Sequence, residues 1–320
     1  YDAIGNRVSI DGPLPGTDDT ELFGYNGNRE LATMMAPDPD GAGVRRRQAY
    51  RYTYNAAGLQ TVSERGSVPS MATNWASFSP LEVARTTYDA ADRKTRTQLS
   101  GGSLVVSVVD YGYDAASRLT CVAQRMDPAQ WASQSDSCIP QTTGPNGPDR
   151  ITKYTYDAID RVTKATSGFG TALAADDVTT TFSNNGRTTK VVDGKGNATS
   201  YEYDGFDRLK RTRYPSPTAV GTSSTTDYED LVFDPNGNVT NRRLRDGRSI
   251  AYTYDALNRV KLKDTPAGAP ADMDVTFEYD LIGHLTRAVG DGSVINAFIY
   301  DALGRLITDS KRGGSTSYVY

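Results

Sequence analysis

Ten aspartates recur along the chain in one local setting: Asp2, Asp89, Asp114, Asp157, Asp193, Asp204, Asp234, Asp255, Asp280 and Asp301. Carboxylates in series are the raw material of a calcium array. Only Asp193-Gly194-Lys195-Gly196-Asn197 approaches a calcium loop, and it lacks the Glu that would close the ligand set. A backbone role accounts for all ten at once, because Asp at the first position of a turn accepts a hydrogen bond from the N–H two residues on. The sole histidine, His284, stands in a slot that is arginine at positions 93, 118, 161, 187, 208, 259 and 305, so it reads as a surface substitute for arginine. One histidine also leaves a serine or cysteine nucleophile without a choice of base. The sequence carries no phosphate loop, dinucleotide fingerprint or Cys/His metal spacing. No catalytic, cofactor-binding or metal residue is expected, and no cofactor.

The other reactive pair is Cys121 and Cys138, both inside the longest insertion, residues 121–150. Two cysteines fit an extracellular disulfide and also fit two idle thiols. The bridge is the expected state, worth about 3 kcal/mol on the chain-entropy account. Within the same insertion, Asp127-Pro128-Ala129-Gln130-Trp131 has a capping Asp and then Pro at the first helical position, the start of a short helix.

The elements that carry the aspartates are set by a repeated phrase. Its fullest form is Tyr300-Asp301-Ala302-Leu303-Gly304-Arg305-Leu306, and near-copies begin at Tyr1, Tyr54, Tyr88, Tyr113, Tyr156, Tyr203, Phe233, Tyr254 and Tyr279. Degenerate copies run from Phe182 to Arg187 and from Val192 to Ala198, and Tyr318-Val319-Tyr320 opens another. Four residues into each copy the chain needs a left-handed residue, as in a type I turn closed by a bulge. That slot holds Gly5, Gly58, Gly186, Gly196, Gly237, Gly283 and Gly304, or the tolerant Asp92, Asp160, Asp207 and Asn258; Ser117 is the poor fit. Pro235 suits the second turn position through its fixed φ.

Between copies, a second turn is expected at Gly290–Ser293, Asp246-Gly247, Gly101-Gly102 and Gly313-Gly314, since tight hairpins need residues that accept positive φ. Aromatics alternate before the phrase: Tyr52 and Tyr54, Tyr111 and Tyr113, Tyr154 and Tyr156, Tyr201 and Tyr203, Tyr252 and Tyr254, Phe277 and Tyr279, Phe298 and Tyr300. A period of two puts each pair on one strand face, so stacked units build an aromatic ladder. Leu119, Val162, Leu209, Val260, Leu285 and Leu306 supply aliphatic partners after the turn.

Composition agrees with an all-β repeat array. Only 37% of residues are hydrophobic, yet 20 are Tyr, which suits a sheet with both faces partly wet and the phenol hydroxyls hydrated. Prolines fall in spacers of variable length, apart from Pro235, as a sheet that needs every N–H requires. A net charge of −4 gives no support for a nucleic-acid partner, and Arg45-Arg46-Arg47 reads as a solvated loop. No stretch is long and apolar enough for a membrane-spanning helix. The expected organisation is one array over 1–320, cut from a longer chain.

The phrase Tyr-Asp-x-x-Gly-Arg-Leu, repeated every 20–25 residues or so behind an upstream aromatic, resembles the YD (Rhs) repeat family over essentially the whole chain. The resemblance implies a β-hairpin ribbon that curves into part of a hollow shell or an elongated spiral. Such shells belong to bacterial polymorphic toxins, the encapsulating components of insecticidal toxin complexes, and teneurins, and they typically enclose a C-terminal cargo. The family's aspartyl autoprotease core is not matched. The only Asp-Pro-x-Gly, Asp234 to Gly237, sits in a repeat turn, so no protease residue carries over. What the resemblance implies is a non-catalytic wall segment of a secreted or cell-surface protein. Its partners would be the rest of its own chain and an encapsulated C-terminal toxin. The alternative is the wall of an extracellular filament or adhesin, associating with other protomers and holding cell-surface glycans on its Tyr ladder. Both tryptophans, Trp75 and Trp131, lie in spacers rather than in the ladder that would grip a sugar.

Overall fold

The computed structural model describes residues 1–320 except 15, 17, 41–43, 70–74, 267–272, 291–292 and 312. The described residues form twenty-four strands and two short 3-10 turns, and the described strand pairings are antiparallel. Chain contacts group the fold into two units, Tyr1–Asp177 and Val178–Tyr320, with the repeat phrase running through both.

In the first unit the long strands Arg47–Tyr54, Gln60–Val68, Ser79–Tyr88, Lys94–Gly101, Leu104–Tyr113 and Leu119–Arg125 pair in chain order. Each Tyr-Asp turn joins the strand before it to the strand after it, so these turns all fall at one edge and the spacers at the other. The register slips by one residue just before each turn, for example between Thr53 and Tyr54 and between Gly112 and Tyr113. The extra residue is the bulge that lets a type I turn match the strand twist. Two small apolar clusters stand in for a core: Met35, Ala49 and Val68 beneath Trp75 and Phe78, and Cys121, Ala123 and Ile151 beside Cys138 and Phe169.

The second unit repeats the pattern from Thr188–Asp193 through Leu306–Lys311, with strands of five to eight residues apart from the eleven-residue Ser223–Phe233. Among its described residues the buried hydrophobic ones are Ala198, Val275 and Ala288. Stability must therefore come from neighbour-to-neighbour contacts along the array rather than from a dense interior.

Several expectations need correction. Pro80 and Pro215 lie within strands, not spacers. Pro80 is tolerated because it is the second residue of Ser79–Tyr88 and sits opposite a register shift at Gly66, where a side chain would collide with the Ser79 carbonyl. Asp246-Gly247 is not a two-residue hairpin. Leu244 N–H donates to the Arg248 carbonyl at 2.7 Å and Gly247 sits at φ +91°, the same turn as the Tyr-Asp phrase. Gly101 and Gly314 are strand residues, and the tight turns they flank use Gly102 and Gly313, both at positive φ. The expected turn at Asp291-Gly292 lies outside the described residues, although Gly290 pairs with Ser293 across it. The degenerate copy around Asp193 has the repeat turn's bonding but joins Thr188–Asp193 to Ala198–Tyr203, placing it at the spacer edge. One copy escaped the sequence reading altogether: Tyr25-Asn26-Gly27-Asn28-Arg29-Glu30-Leu31, with Asn26 in the Asp slot and Arg29 at φ +66°.

Candidate functional site

The chemistry-bearing residues gather in two places, the turn edge and the cysteine insertion. At the turn edge Asp301 shows the pattern. Its N–H donates to the Arg305 carbonyl at 2.8 Å, and Gly304 N–H returns to the Asp301 carbonyl at 2.9 Å. The Asp301 carboxylate accepts from the Leu303 and Arg305 amides at 2.9 Å each, and from Arg305 Nε at 2.7 Å. The same set recurs at Asp89, Asp114, Asp157, Asp204 and Asp255 with arginine, at Asp280 with His284, and at Asp2, Asp193 and Asp234 with asparagine. The Asp–Arg pairs are thus internal to each turn.

The turns are also tied to one another. Arg93 lies over the Tyr113 ring at 4.8 Å, Arg118 over Tyr156 at 5.0 Å, Arg208 over Phe233 at 4.2 Å, Arg259 over Tyr279 at 4.5 Å and Arg305 over Tyr320 at 4.7 Å. Each arginine therefore neutralises its own Asp and covers the ring of the next copy. In the other direction, the phrase tyrosines donate to the carbonyl just past the preceding turn: Tyr54 to Leu31, Tyr113 to Lys94, Tyr156 to Leu119, Tyr203 to Thr188, Tyr254 to Val239, Tyr279 to Val260 and Tyr300 to Leu285, all within 3.0 Å. The hydroxyls are bonded to protein rather than hydrated as expected, which explains the preference for tyrosine in a slot where phenylalanine occurs at 182 and 233. Exchanging Tyr254 for Phe should cost about 1 kcal/mol, the worth of one such bond, as measured by urea unfolding; an unchanged midpoint would show that water replaces it.

Four of the non-glycine left-handed residues have a further role. Ser117 Oγ accepts from Arg93, Asp160 from Arg118, Asp207 from Asn185 and Asn258 from Asn236, each donor belonging to the preceding turn. Ser117 thus offsets its unfavourable φ of +65° with a bond that glycine cannot make.

His284 fills the arginine slot but is not a free surface group. Its Nδ1 lies 3.0 Å from Asp280, and its ring stacks on Tyr300 at 4.4 Å. His284→Ala should therefore cost about 1 kcal/mol through the lost stacking, rather than the few tenths of a passive surface change. Arginine at this site should restore the loss in a thermal melt.

The turn carboxyls titrate below the ordinary aspartate range. For Asp301 the main cause is the Arg305 amide, opposed by partial desolvation and reinforced by the Arg305 side chain and the Leu303 amide. For Asp89 the Arg93 side chain comes first. A carboxyl with a depressed folded value stabilises the fold fully above its unfolded value, about 3.9, and loses that contribution as pH falls through the lower folded value. Acid should therefore loosen the turn edge below about pH 4, detected as faster amide exchange at Leu303 and Arg305 before the strand centres exchange.

The second site was invisible as a cluster in the sequence. Cys121 and Cys138 form a disulfide with 5.3 Å between their Cα atoms, closing a separation of 17 residues. Beneath it lies a neutral chain of charges. Arg96 grips Asp110 at 2.6 and 3.0 Å, Arg125 Nε reaches Asp110 at 2.7 Å, and Arg125 Nη1 reaches Asp149 at 2.7 Å. Arg125 is 0% exposed and Asp110 1%. Their remaining donors hold the insertion from below: Arg96 donates to the Trp131 and Ser133 carbonyls, and Arg125 to those of Asp136 and Ile139. Burial pushes the Asp149 carboxyl upward. The Gln141 and Met126 amides and the Arg125 guanidinium outweigh it and hold the group below its usual range. Asp127 caps the short turn Pro128–Gln130 by accepting from Ala129 N at 3.1 Å.

This arrangement can hold shape, with its charged groups paired to one another and to the backbone. Among the described residues no group of three or more His, Cys, Asp or Glu side chains could hold a metal ion, and no helix is long and apolar enough to cross a membrane. The one sequence signal for the buried cluster was Asp110, an acidic residue set among valines in a strand.

A family model described as teneurin YD-shell matches residues 152–320, more than half of the chain. No curated protein matches. Among solved structures, the crystal structure of TcdB2-TccC3 is 16% identical, covering 91% of this chain and 17% of that one, with a TM-score of 0.39. The Photorhabdus luminescens Tc holotoxin pore is 12% identical, covering 92% of this chain and 18% of that one, with a TM-score of 0.30. A porin-like protein from Bacteroides uniformis is 11% identical, covering 79% of this chain and 90% of that one, with a TM-score of 0.22. Superpositions this loose carry no argument, and the chain spans only 17% of the TcdB2-TccC3 chain.

Proposed function

This chain belongs to the teneurin YD-shell family, and from that premise we propose that it is a non-catalytic wall segment of a large secreted or cell-surface protein, part of a shell that encloses a C-terminal toxin or other cargo. The observation that carries the reading is the use made of the repeat's polar side chains. The Asp of each phrase is spent on its own turn, the Arg on the next ring and the Tyr hydroxyl on the preceding strand. Groups bonded in this way keep neighbouring hairpins in register and are not presented for chemistry. The partners that follow are the remainder of the same polypeptide and the enclosed segment.

Electron microscopy of the full-length native particle tests the proposal. A closed hollow body with protease-protected density inside supports it. A filament without an interior would overturn it in favour of an extracellular fibre or adhesin.

A further inference from the structure

Neighbouring turns are linked through an arginine at Arg93, Arg118, Arg208, Arg259 and Arg305, and through the chain's sole histidine between the turns at Asp280 and Asp301. Three of the arginine links have the same parts. Arg93, Arg118 and Arg259 each bind the Asp of their own turn and cover the next ring. Each also donates from Nη1 to the carbonyl of the next Asp, at Asp114, Asp157 and Asp280. A guanidinium keeps its charge across the whole range in which proteins fold, so these links do not respond to acidity. His284 takes the same place with a group that does. Its Nδ1 lies 3.0 Å from the Asp280 carboxylate, and its ring stacks on Tyr300 with 24° between the planes. Its outer edge rests against Gly304 of the next turn, where a Cβ would stand 3.0 Å from Cε1 and 3.2 Å from Nε2. The side chain is 29% exposed, so protons reach it from solvent.

We propose that the seam between the turns at Asp280 and Asp301 is a pH-sensitive clasp, closed in mild acid when both ring nitrogens of His284 carry a proton and slack at higher pH when one is bare. The charges around the ring set the sign. From the preceding turn, Arg259 reaches the Asp280 carbonyl at 3.3 Å and is paired with Asp255 at 2.7 Å. On the following turn Arg305 is paired with Asp301 at 2.7 Å, and on the strand before the turn Glu278 is paired with Arg287 at 3.1 Å. That leaves Asp280 as the carboxylate whose side-chain partner is the imidazole. Its carboxyl is pushed up by partial desolvation, but the His284 and Ile282 amides and the His284 charge outweigh this and hold it below its ordinary range. Asp280 therefore stays anionic through the interval of about pH 5–8 in which an imidazole changes charge. A cation there is favoured by that carboxylate and by the face of the Tyr300 ring. By linkage, the closed seam gains from the bound proton, a gain present in mild acid and lost as pH rises. The inference goes beyond the wall reading and does not depend on what the wall encloses.

The test is hydrogen exchange of the 320-residue chain at about pH 5.5 and about pH 8, either side of the imidazole's change of charge. Each rate is divided by that of an unstructured peptide of the same sequence at the same pH. The Gly304 amide closes its turn on the Asp301 carbonyl at 2.9 Å. It should be about two- to fivefold better protected at the lower pH, the range expected of a partly exposed ion pair. The Ser117 amide, in the corresponding place beside Arg93, should show no such change. His284→Arg should keep Gly304 well protected at both pH values, and His284→Gln should leave it poorly protected at both. Equal protection of Gly304 at the two pH values, an equal change at Ser117, or the same pH dependence in His284→Arg would each overturn the proposal. If His284→Arg fails to fold, the comparison of Gly304 with Ser117 in the unmodified chain decides the matter. Both conditions lie above the acid range in which the turn carboxyls titrate, so the two effects stay separate.

Discussion

Arg125→Ala should destabilise the first unit by about 3–5 kcal/mol, the penalty of leaving a buried ion cluster without one member. Arg125 is 0% exposed, and it serves both Asp110 and Asp149. Its removal leaves Asp110 with Arg96 alone and strips Asp149 of its guanidinium, while the Ile139 carbonyl loses its Arg125 donor and the Asp136 carbonyl keeps only the Ile139 amide. Lysine should rescue little of the loss, because an ammonium lacks the planar fork that reaches both carboxylates. Arg125→Met combined with Asp149→Asn should recover part of it, since no unpaired charge then stays buried around Asp149. Chemical denaturation followed by hydrogen exchange separates the outcomes. The strands Leu104–Tyr113 and Leu119–Arg125 should lose protection, and those of Val178–Tyr320 should keep it. A loss below about 1 kcal/mol would mean that water enters and replaces the guanidinium.

Removing the disulfide should come next in size. Cys121→Ala with Cys138→Ala frees a loop spanning a separation of 17 residues, worth about 3 kcal/mol on the chain-entropy account. The bridge and the Arg125 donors restrain the same insertion, one through Cys138 and the other through Asp136 and Ile139. The two perturbations should therefore be non-additive, and a double-mutant cycle should show a coupling of about 0.5 kcal/mol or more. Strict additivity would show that the two restraints act on separate stretches. Mass mapping of unreduced protein provides the simpler check, and free thiols at both positions would remove the basis of the prediction.

Much of this fold is legible in sequence because the turn imposes a steric demand that few residue types meet. Positive φ at Gly304, Asp160 and Asn258 follows from position in the phrase, and so does the carboxylate at Asp301. The copy at Tyr25 was missed because asparagine replaces aspartate there and Arg29 takes the left-handed slot, a residue with no local preference for it. Contacts between copies were hidden for another reason. The bonds from Tyr254 to Val239 and from Arg93 to Tyr113 depend on which strand lies alongside, and a motif does not state that. The buried cluster was harder still, since Arg96, Asp110, Arg125 and Asp149 come from three strands and an insertion and share no spacing.

The two edges of the hairpin array are unequal in a way that bears on how such chains change over generations. Along the edge of Tyr-Asp turns, each loop is fixed in length by bonds to the loops before and after it, as with Arg118 reaching Asp160. At the opposite edge, connections range from the tight turn at Gly102 to the long insertion after Arg125. A single added residue in the first kind of loop would break two neighbour contacts, whereas a whole peptide added to the second kind breaks none of these. Gain and loss of chain should therefore accumulate almost wholly on the spacer side. An engineer who wishes to display a foreign epitope should graft it there, for instance inserted among the exposed residues 217–219, with Gly221 kept for its 2.7 Å bond to the Gly196 carbonyl.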